Sequence, residues 1–454
     1  MTVDRGGSAI SRVVGIVSHR AGASAICIIA AVMVSGVCRS LGPDGVGAAA
    51  AASAPTHGLT GVGNWVWYYQ TIAPSDAVKF SGATAVVTTT QPNTATALAT
   101  IHSTGALAFS YMNAYWLPLG RIYDSIDLAQ HPGWEFCGRR GNPLPPGRAT
   151  GPPGQRELWM YPDLNERGMH AAVVAYLQGL KASGYDGVFF DRGVVALRRG
   201  RMPDRVSGCT AHPVRQGATY AQSFARILRA AHAIGLQVVL NYGSAPPPRN
   251  VAKSIVRVMQ EDAPGPLSAA QLATAFGRRQ VESSRPTRYV EEVKTTSLND
   301  RAGAFRSWAE VALWPIDVDI NTGDNGCAGV LATAPCFHYG TFPELTSVQR
   351  GGPLDADPSS RDCSGASTIR CLWVRRWSEA VVVVNETRET IRTVISVGAT
   401  CRGVTDVWAE EPVAGGSCLR NLRVTIPPLS GRVYQETPIS ERTPRTGTVF
   451  GGGG

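Results

Sequence analysis

Short apolar runs, most of them closed by a polar residue, recur between about residues 64 and 321, with helix-like stretches between several of them. Two of these stretches, 170–184 and 219–235, have helical periodicity and end in glycine, a residue suited to a helix C-terminus. Strands that alternate with helices are typical of parallel sheets, because a parallel pair needs a crossover connection. The pattern therefore predicts an α/β fold.

Nine segments are candidate strands: NWVWYYQ (64–70), TAVVTTT (84–90), ALAFSYMN (106–113), ELWMYPD (157–163), DGVFFD (186–191), LQVVLNYG (236–243), SIVRVMQED (254–262), RYVEEVK (288–294) and IDVDIN (316–321). We interpret them as a (β/α)8 TIM barrel, which has eight strands. One of the nine is therefore a false prediction or an extension, and the sequence does not say which.

The pattern changes after about residue 346. A linker-like stretch is followed by the runs LWVRRW, AVVVVNE, IRTVISV, GVTDVWA, NLRVTIPP and GRVYQE, with turn residues between them. Such runs predict an antiparallel β-sandwich of about 80 to 90 residues. The predicted division is a leader at 1–54, the barrel at 55–345, the sandwich at 346–440 and a disordered tail at 441–454.

The N-terminus and the cysteines both indicate export. A basic opening, an apolar stretch at 21–37 and then small residues follow the order of a secretory signal, with a retained N-terminal anchor as the alternative. Eight cysteines follow the leader, and their spacing favours the local pairs Cys327–Cys336, Cys363–Cys371 and Cys401–Cys418, which leaves Cys137 with Cys209. Disulfides predict a secreted or extracytoplasmic protein.

Several classes of partner are disfavoured. The formal charge of +9 is spread along the chain, and there is neither a zinc-finger spacing nor a basic helix, so nucleic acid is not an expected partner. No CxxC, HxH or HExxH motif occurs, and no metal site is predicted. Cell-envelope association stays open.

Carboxylates and amides follow the apolar runs. Asp191 ends GVFFD, a run apolar enough for a strand covered on both faces, and a turn or helix-capping role is the alternative for it. The C-terminal ends of barrel strands face the active-site mouth. Carboxylates gathered there suit glycoside hydrolysis, which needs one acid and one nucleophile or base and no cofactor.

The segment YDGVFFD, with LNYG and a strand reaching Glu261 after it, resembles glycoside hydrolase-like TIM barrels related to endo-α-1,4-polygalactosaminidases. The C-terminal runs resemble the sandwich that follows many such barrels. The resemblance implies hydrolysis of a polysaccharide and makes Asp191 and Glu261 the catalytic pair. This chain departs from the family at Arg192, which follows Asp191 where an acidic or amide residue is usual.

Arg192 favours the charged form of Asp191, which would make Asp191 the nucleophile or base. Glu261 lies beside Asp262, so we expect Glu261 to be the acid. Glu292 is the alternative second carboxylate, because one residue of the pair Glu291–Glu292 must face the barrel interior.

Five further residues are expected to contact substrate, and each also has an ordinary structural interpretation. Asp163 is a hydroxyl ligand or a loop cap, Asn241 and Tyr242 are ligands or turn residues, and Tyr111 and Trp67 are sugar-stacking rings or core. The prediction is a secreted glycosidase acting on a polysaccharide. The rival hypotheses are a non-catalytic carbohydrate-binding or cell-surface protein with the same barrel, and a cell-envelope protein that binds through the sandwich.

Overall fold

The structure is a computed structural model that describes the following residues: 59, 61–68, 71–88, 95–113, 117–118, 121–122, 126–127, 131, 134, 142–143, 158–160, 164–191, 193, 197, 220–264, 269–286, 288–294, 300–321, 342–363, 370–397, 403–413 and 420–437. In these ranges no helix is long and apolar enough to cross a bilayer.

Eight parallel strands form a closed barrel, in which strands that follow each other along the chain are neighbours. They are β1 (Asn64–Tyr68), β2 (Ala85–Thr88), β3 (Leu107–Asn113), β4 (Gly187–Asp191), β5 (Gln237–Asn241), β6 (Arg257–Pro264), β7 (Tyr289–Lys294) and β8 (Asp317–Asn321). β8 pairs with β1 and closes the ring. The predicted (β/α)8 barrel is confirmed by this strand order.

A helical segment follows every strand: a 3₁₀ helix (Pro74–Phe80), α1 (Ala95–Ser103), α2 (Arg167–Ala182), α3 (Tyr220–Ala233), α4 (Arg249–Ala252), α5 (Ala269–Ser283), α6 (Arg301–Ala312) and α7 (Pro343–Thr346). Helices α2 and α3 end before Gly184 and Gly235, whose φ angles of 99° and 88° lie in the region that glycine adopts without strain. Both helix ends were predicted from these glycines.

The segment ELWMYPD is the surplus candidate. Its strand Leu158–Met160 pairs antiparallel with the short strands Leu117–Pro118 and Asn142–Pro143, and all three lie in the long connection between β3 and β4. Another short antiparallel pair, Arg121–Ile122 with Ile126–Asp127, lies in the same connection. The expectation that ELWMYPD ends at the barrel mouth as a barrel strand is therefore wrong, because the ring closes without it.

Alternate residues of the barrel strands pack in two separate apolar clusters. Trp65, Phe109, Phe189 and Val239 belong to the cluster inside the barrel. Their chain neighbours, such as Val188, pack in the cluster shared with the surrounding helices. This two-sided burial explains why the strands read as nearly continuous apolar runs.

A buried ion pair occupies the N-terminal end of the barrel. Arg257, at the start of β6, donates from Nε to Oδ2 of Asp317, at the start of β8, over 2.6 Å. Trp65 Nε1 donates to the same oxygen over 3.1 Å, and the Gly63 backbone N–H donates to Oδ1. Because these polar groups satisfy one another, this end of the barrel is built for stability.

The six predicted C-terminal runs are all strands, and they form antiparallel sheets together with two shorter strands. The strands are β9 (Ser359–Arg361), β10 (Leu372–Arg376), β11 (Ala380–Asn385), β12 (Ile391–Ser396), β13 (Gly403–Asp406), β14 (Glu411–Pro412), β15 (Asn421–Ile426) and β16 (Ser430–Thr437). Six of them form one sheet in the order β9-β10-β11-β16-β13-β14, and β12 pairs with β15 in a second sheet.

Strand β11 lies in the middle of the C-terminal region. Val382 and Val384 join the cluster that contains the helices of the barrel, whereas Val381 and Val383 join a cluster with Ile395 of the second sheet. The run AVVVVN is therefore apolar at every position because both of its faces are covered.

One predicted disulfide lies within the described residues. Cys363 and Cys371 are bonded, with an S–S distance of 2.04 Å. The cysteines of the other three predicted pairs lie outside the described residues.

Candidate active site

Asp191 is the last residue of β4 and lies at the C-terminal end of the barrel. Its side chain is half-buried and has one described neighbour from each adjacent strand. The hydroxyl of Tyr111 on β3 donates to Oδ2 over 2.6 Å, and the Asn241 amide on β5 donates from Nδ2 to Oδ1 over 2.8 Å. Both carboxylate oxygens accept a hydrogen bond, which fixes the plane of the carboxylate.

The order of the barrel strands brings this group together. Asn113 of β3 is the register partner of Asp191, and Tyr111 precedes Asn113 by two residues, so it faces the same side. Tyr111 and Asn241 are both predicted substrate contacts, and the structure places both against Asp191. No local pattern predicts this contact, because 73 residues of chain separate β3 from β4.

Glu261 and Asp262 lie in β6, two strands from β4 with β5 between them. Here the register of β6 against β7 slips: Gln260 pairs with Glu291, and Ala263 pairs with Val293. Two residues of β6 therefore oppose Glu292 alone. Such bulges are over-represented next to active sites. The described side chains of β6 end at Gln260, and Asp163 lies outside the described residues altogether.

The neighbours Glu291 and Glu292 face opposite sides of β7, as predicted for this pair. Glu291 is outside the barrel wall, where it accepts hydrogen bonds from Arg279 on α5 at Oε1 and Oε2, both over 2.8 Å. Arg278 adds a contact of 2.6 Å. Burial raises the pKa of Glu291, but the two guanidinium groups outweigh burial and hold that pKa below its usual range.

Glu292 shares the inner face of β7 with Val290, and only 3 % of it is exposed. Its register partner is Asp319 on β8, which is 1 % exposed. Adjacent strands therefore bring two buried carboxylates to the same level of the barrel. The alternation in IDVDIN indicates that Asp317 and Asp319 share one face.

Two of the aromatic residues predicted to contact substrate, Trp67 and Tyr242, are buried in the structure. Trp67 is 3 % exposed and packs inside the barrel against Phe189, with ring centroids 5.2 Å apart. Tyr242 belongs to the apolar cluster that includes the helices, and it is also buried. The structure therefore places Trp67 in the cluster inside the barrel and Tyr242 in the cluster shared with the helices.

The described carboxylates in the C-terminal half of the barrel, Asp191, Glu292 and Asp319, are groups that can support acid–base or nucleophilic chemistry. Neighbouring strands are about 4.8 Å apart, so the backbones of β4 and β6 are separated by about 10 Å, a distance that inward-pointing carboxylates can shorten to glycosidase spacings. Strand β7 is one strand further from Asp191. Among the described side chains, no three His, Cys, Asp or Glu residues are grouped as they would be to hold a metal ion.

No protein-family model matches the chain, and no curated protein matches it. Among solved structures, it is similar to an alpha-amylase from Malbranchea cinnamomea, with a TM-score of 0.46 and 11% identity over 82% of this chain and 96% of that one.

A β-L-arabinopyranosidase from Geobacillus stearothermophilus has a TM-score of 0.43 and 12% identity, over 85% of this chain and 98% of that one. The glycoside hydrolase domain of PelA from Pseudomonas aeruginosa has a TM-score of 0.37 and 16% identity, over 59% of this chain and 96% of that one. Similarities of this size carry no inference about activity, and the barrel is assigned from its own strand order.

Proposed function

We propose that this protein is a secreted glycoside hydrolase that cleaves O-glycosidic bonds of a polysaccharide by means of Asp191 and Glu261. The observation that carries the proposal is the Asp191 carboxylate, held by Tyr111 and Asn241 at the C-terminal end of a barrel strand. This is the end at which barrel enzymes place their catalytic groups. The resemblance of YDGVFFD to polygalactosaminidase-related barrels supports the same assignment.

The proposed reaction uses the two carboxyl groups on opposite sides of the scissile bond. Glu261 gives its proton to the glycosidic oxygen as the bond between that oxygen and the anomeric carbon breaks. Asp191 either attacks the anomeric carbon directly or takes a proton from the water that attacks it. Hydrogen bonds from Tyr111 and Asn241 suit Asp191 to this role, because they hold both oxygens of its carboxylate in one orientation.

Glu292 is the alternative second carboxylate. It lies inside the barrel, but on the strand next to β6, three strands from β4, and its register partner is Asp319. We therefore assign Glu292 and Asp319 to the wall of the substrate site. Asp163, Asn241, Tyr242, Tyr111 and Trp67 stay predicted substrate contacts.

Several broader features belong to the same proposal. The basic and apolar N-terminal order and the cysteines support export, with cell-envelope association or a retained anchor as variants of it. We also propose that the two C-terminal sheets form a β-sandwich, because Val383 of one sheet and Ile395 of the other share an apolar cluster.

The test is the release of reducing ends from a panel of polysaccharides, including galactosamine-containing and neutral α- and β-glycans. We expect one substrate to be cut, and both Asp191→Asn and Glu261→Gln to lose at least about 99% of the rate, as expected when a catalytic carboxylate is removed. Asp357→Asn, which changes an exposed carboxylate on the C-terminal side, serves as the matched control and should be fully active.

If activity survives Glu261→Gln but is lost in Glu292→Gln, the second catalytic carboxylate is Glu292 and not Glu261. If no polysaccharide is cut although one is bound, the hydrolase proposal fails and a non-catalytic carbohydrate-binding barrel replaces it. Each variant's thermal unfolding should match the wild type, so that loss of activity is not loss of fold.

A further inference from the structure

The second C-terminal sheet, β12 with β15, has one covered face and one solvent face. Along β15 the residues alternate between exposed and buried, and Leu422, Val424 and Ile426 pack in the cluster shared with the six-stranded sheet. The exposed positions of the two strands form the solvent face: Arg392, Val394, Ser396, Asn421, Arg423 and Thr425.

Arginines dominate this face and its edges. Arg392 is paired with Thr425, and Arg423 is paired with Val394 two residues further along β12, so the two arginines are diagonal neighbours about 7 to 8 Å apart. Arg361 of β9 reaches the same place, because its Nη1 donates to the backbone carbonyl of Val394 over 3.1 Å.

Two more exposed arginines lie at the ends of the sheet. Arg388 precedes β12 and Arg420 precedes β15; because the strands are antiparallel, they lie at opposite ends. We call these five residues the arginine face: Arg361, Arg388, Arg392, Arg420 and Arg423.

The charge of the arginine face is uncompensated within the described part of the chain. Its arginines make no ion pair with described residues, in contrast to buried Arg279 and Arg306, each of which is paired with a glutamate. Glu389 and Asp362 are the exposed described carboxylates next to these arginines in sequence, and neither forms an ion pair with them. Gathering like charges on a sheet is unfavourable unless an anion binds to them.

The chemistry of the face indicates what kind of anion it takes. Guanidinium groups bind carboxylate, sulfate or phosphate through paired donors. Ser396, Asn421 and Thr425 lie between the arginines and can hydrogen-bond to hydroxyl groups. The exposed positions of the strands include one large apolar residue, Val394, and no aromatic residue, which is too little for membrane insertion and offers no base-stacking ring.

We propose that the arginine face binds an anionic polysaccharide and anchors the protein to it. The six-stranded sheet and α6 lie between this face and the barrel, because Val382 packs toward the helices and Val383 toward β12. The arginine face is therefore separate from the candidate site, and the inference does not rest on the proposed hydrolase function.

The test uses the full mature chain and polygalacturonate as the anionic probe, with neutral dextran as the uncharged one. We expect salt-dependent binding to polygalacturonate and none to dextran. The double variant Arg392→Gln with Arg423→Gln should bind about tenfold or more weakly, which corresponds to about 1.4 kcal/mol. The matched control Arg249→Gln with Lys253→Gln removes two exposed cations from the barrel side and should bind like the wild type.

A second double variant distinguishes the effect of the paired donors from the effects of charge and of fold. Arg392→Lys with Arg423→Lys keeps the charge and the fold but loses the paired donors, and we expect binding between that of the wild type and the glutamine variant. Equal loss in the Arg249 and Lys253 control would mean attraction by net charge alone and would overturn the proposal. Tighter binding to duplex DNA or to phosphatidylserine vesicles than to polygalacturonate, at the same salt, would also overturn it.

Discussion

At the scale of single residues, the candidate site depends on what holds Asp191. A carboxylate at the end of an apolar strand would be costly to bury without donors. Tyr111 and Asn241 supply one donor to each oxygen, from the strands on either side. In the proposed reaction, we therefore expect both residues to set the orientation of Asp191.

Tyr111→Phe removes the hydroxyl that donates to Asp191 and keeps the ring. A hydrogen bond to a charged group is worth about 1.5 to 3 kcal/mol, so we expect kcat to fall about tenfold to a hundredfold, with KM nearly unchanged. Steady-state kinetics on the cleaved polysaccharide measures both. Tyr185→Phe, which removes a hydroxyl lying 3.5 Å from Thr88, is the control and should keep its kcat. An unchanged kcat in Tyr111→Phe would contradict the positioning role.

Gly187 in YDGVFFD is required for a different reason, which is space. A Cβ at this position would lie 2.1 Å from Cε1 of Phe109 and 2.5 Å from the backbone oxygen of Gln237. We expect Gly187→Ala to destabilise the fold by about 1 to 3 kcal/mol, the usual cost of overpacking a core. Gly179→Ala in α2 has open space and should stabilise by about 0.5 to 1 kcal/mol. Urea unfolding of the two variants decides this.

At the scale of elements, the two faces of β7 carry adjacent glutamates, one inside the barrel and one on its outer side. Glu292 faces inward, and Glu291 is fully buried on the outer side against Arg278 and Arg279 of α5. Arg279 also donates from Nη1 to the backbone carbonyl of Glu310 on α6 over 3.3 Å. One strand and two helices therefore share a buried ionic network directly behind the candidate site.

Glu291→Gln leaves the buried Arg279 guanidinium without its counter-ion, and we expect a loss of about 3 to 5 kcal/mol in the free energy of unfolding at pH 7. The matched control Glu344→Gln breaks a partly exposed pair with Arg301 and should cost less than about 1 kcal/mol.

The same network should make the free energy of unfolding depend on pH. The folded pKa of Glu291 lies below its ordinary value of 4.5, so its contribution is present above that value and is lost as pH falls through the folded pKa. Glu291→Gln should therefore lose less stability on acidification than the wild type. Equal acid sensitivity of the two proteins would contradict the assignment.

At the scale of the whole molecule, the barrel and the C-terminal sheets share one core. Trp377 packs in the cluster that contains the barrel helices, and the Arg350 and Arg375 guanidinium groups lie 5.1 and 5.0 Å from its ring centroid. Arg350 donates to the Ile316 carbonyl and Arg375 to the Leu313 carbonyl, each over 2.8 Å. These bonds hold the sheets against the chain that leads into β8.

A second contact between the two parts contains a carboxyl group with a raised pKa, that of Glu310. Arg306 on α6 donates to Glu310 on the same helix over 3.0 Å and to Glu386 at the end of β11 over 2.5 Å. Burial raises the pKa of Glu310 to about 8, the Glu386 charge adds to this, and the Arg279 and Arg306 charges oppose it. Two carboxyl groups therefore share one guanidinium, and the folded state keeps Glu310 protonated at neutral pH.

The sign of the effect follows from proton uptake. Between the ordinary pKa of 4.5 and about 8, the folded state binds a proton at Glu310 that the unfolded state has released, so stability falls as pH rises. The slope is at most about 1.4 kcal/mol per pH unit. Glu310→Gln should remove this slope, as measured by urea unfolding at pH 5, 6.5 and 8. A slope identical to that of the wild type would show that Glu310 is ionised in the folded protein.

The sequence by itself determined what depends on neighbouring residues along the chain. Strand and helix periodicity predicted all eight barrel strands, the ends of α2 and α3, and the six main C-terminal strands, because burial on one or both faces is written into local spacing. The Cys363–Cys371 bond follows from a separation of eight residues. The position of Asp191 follows from the end of its apolar run.

Tertiary structure alone decided which distant residues meet. It excluded Leu158–Met160 from the barrel, placed Tyr111 on Asp191, and set Glu292 opposite Asp319 across two strands. Such choices depend on strand order, register and closure of the ring, which join residues far apart in the chain. Local periodicity does not predict these contacts, because it shows which face of a segment is buried but not which distant segment packs against that face.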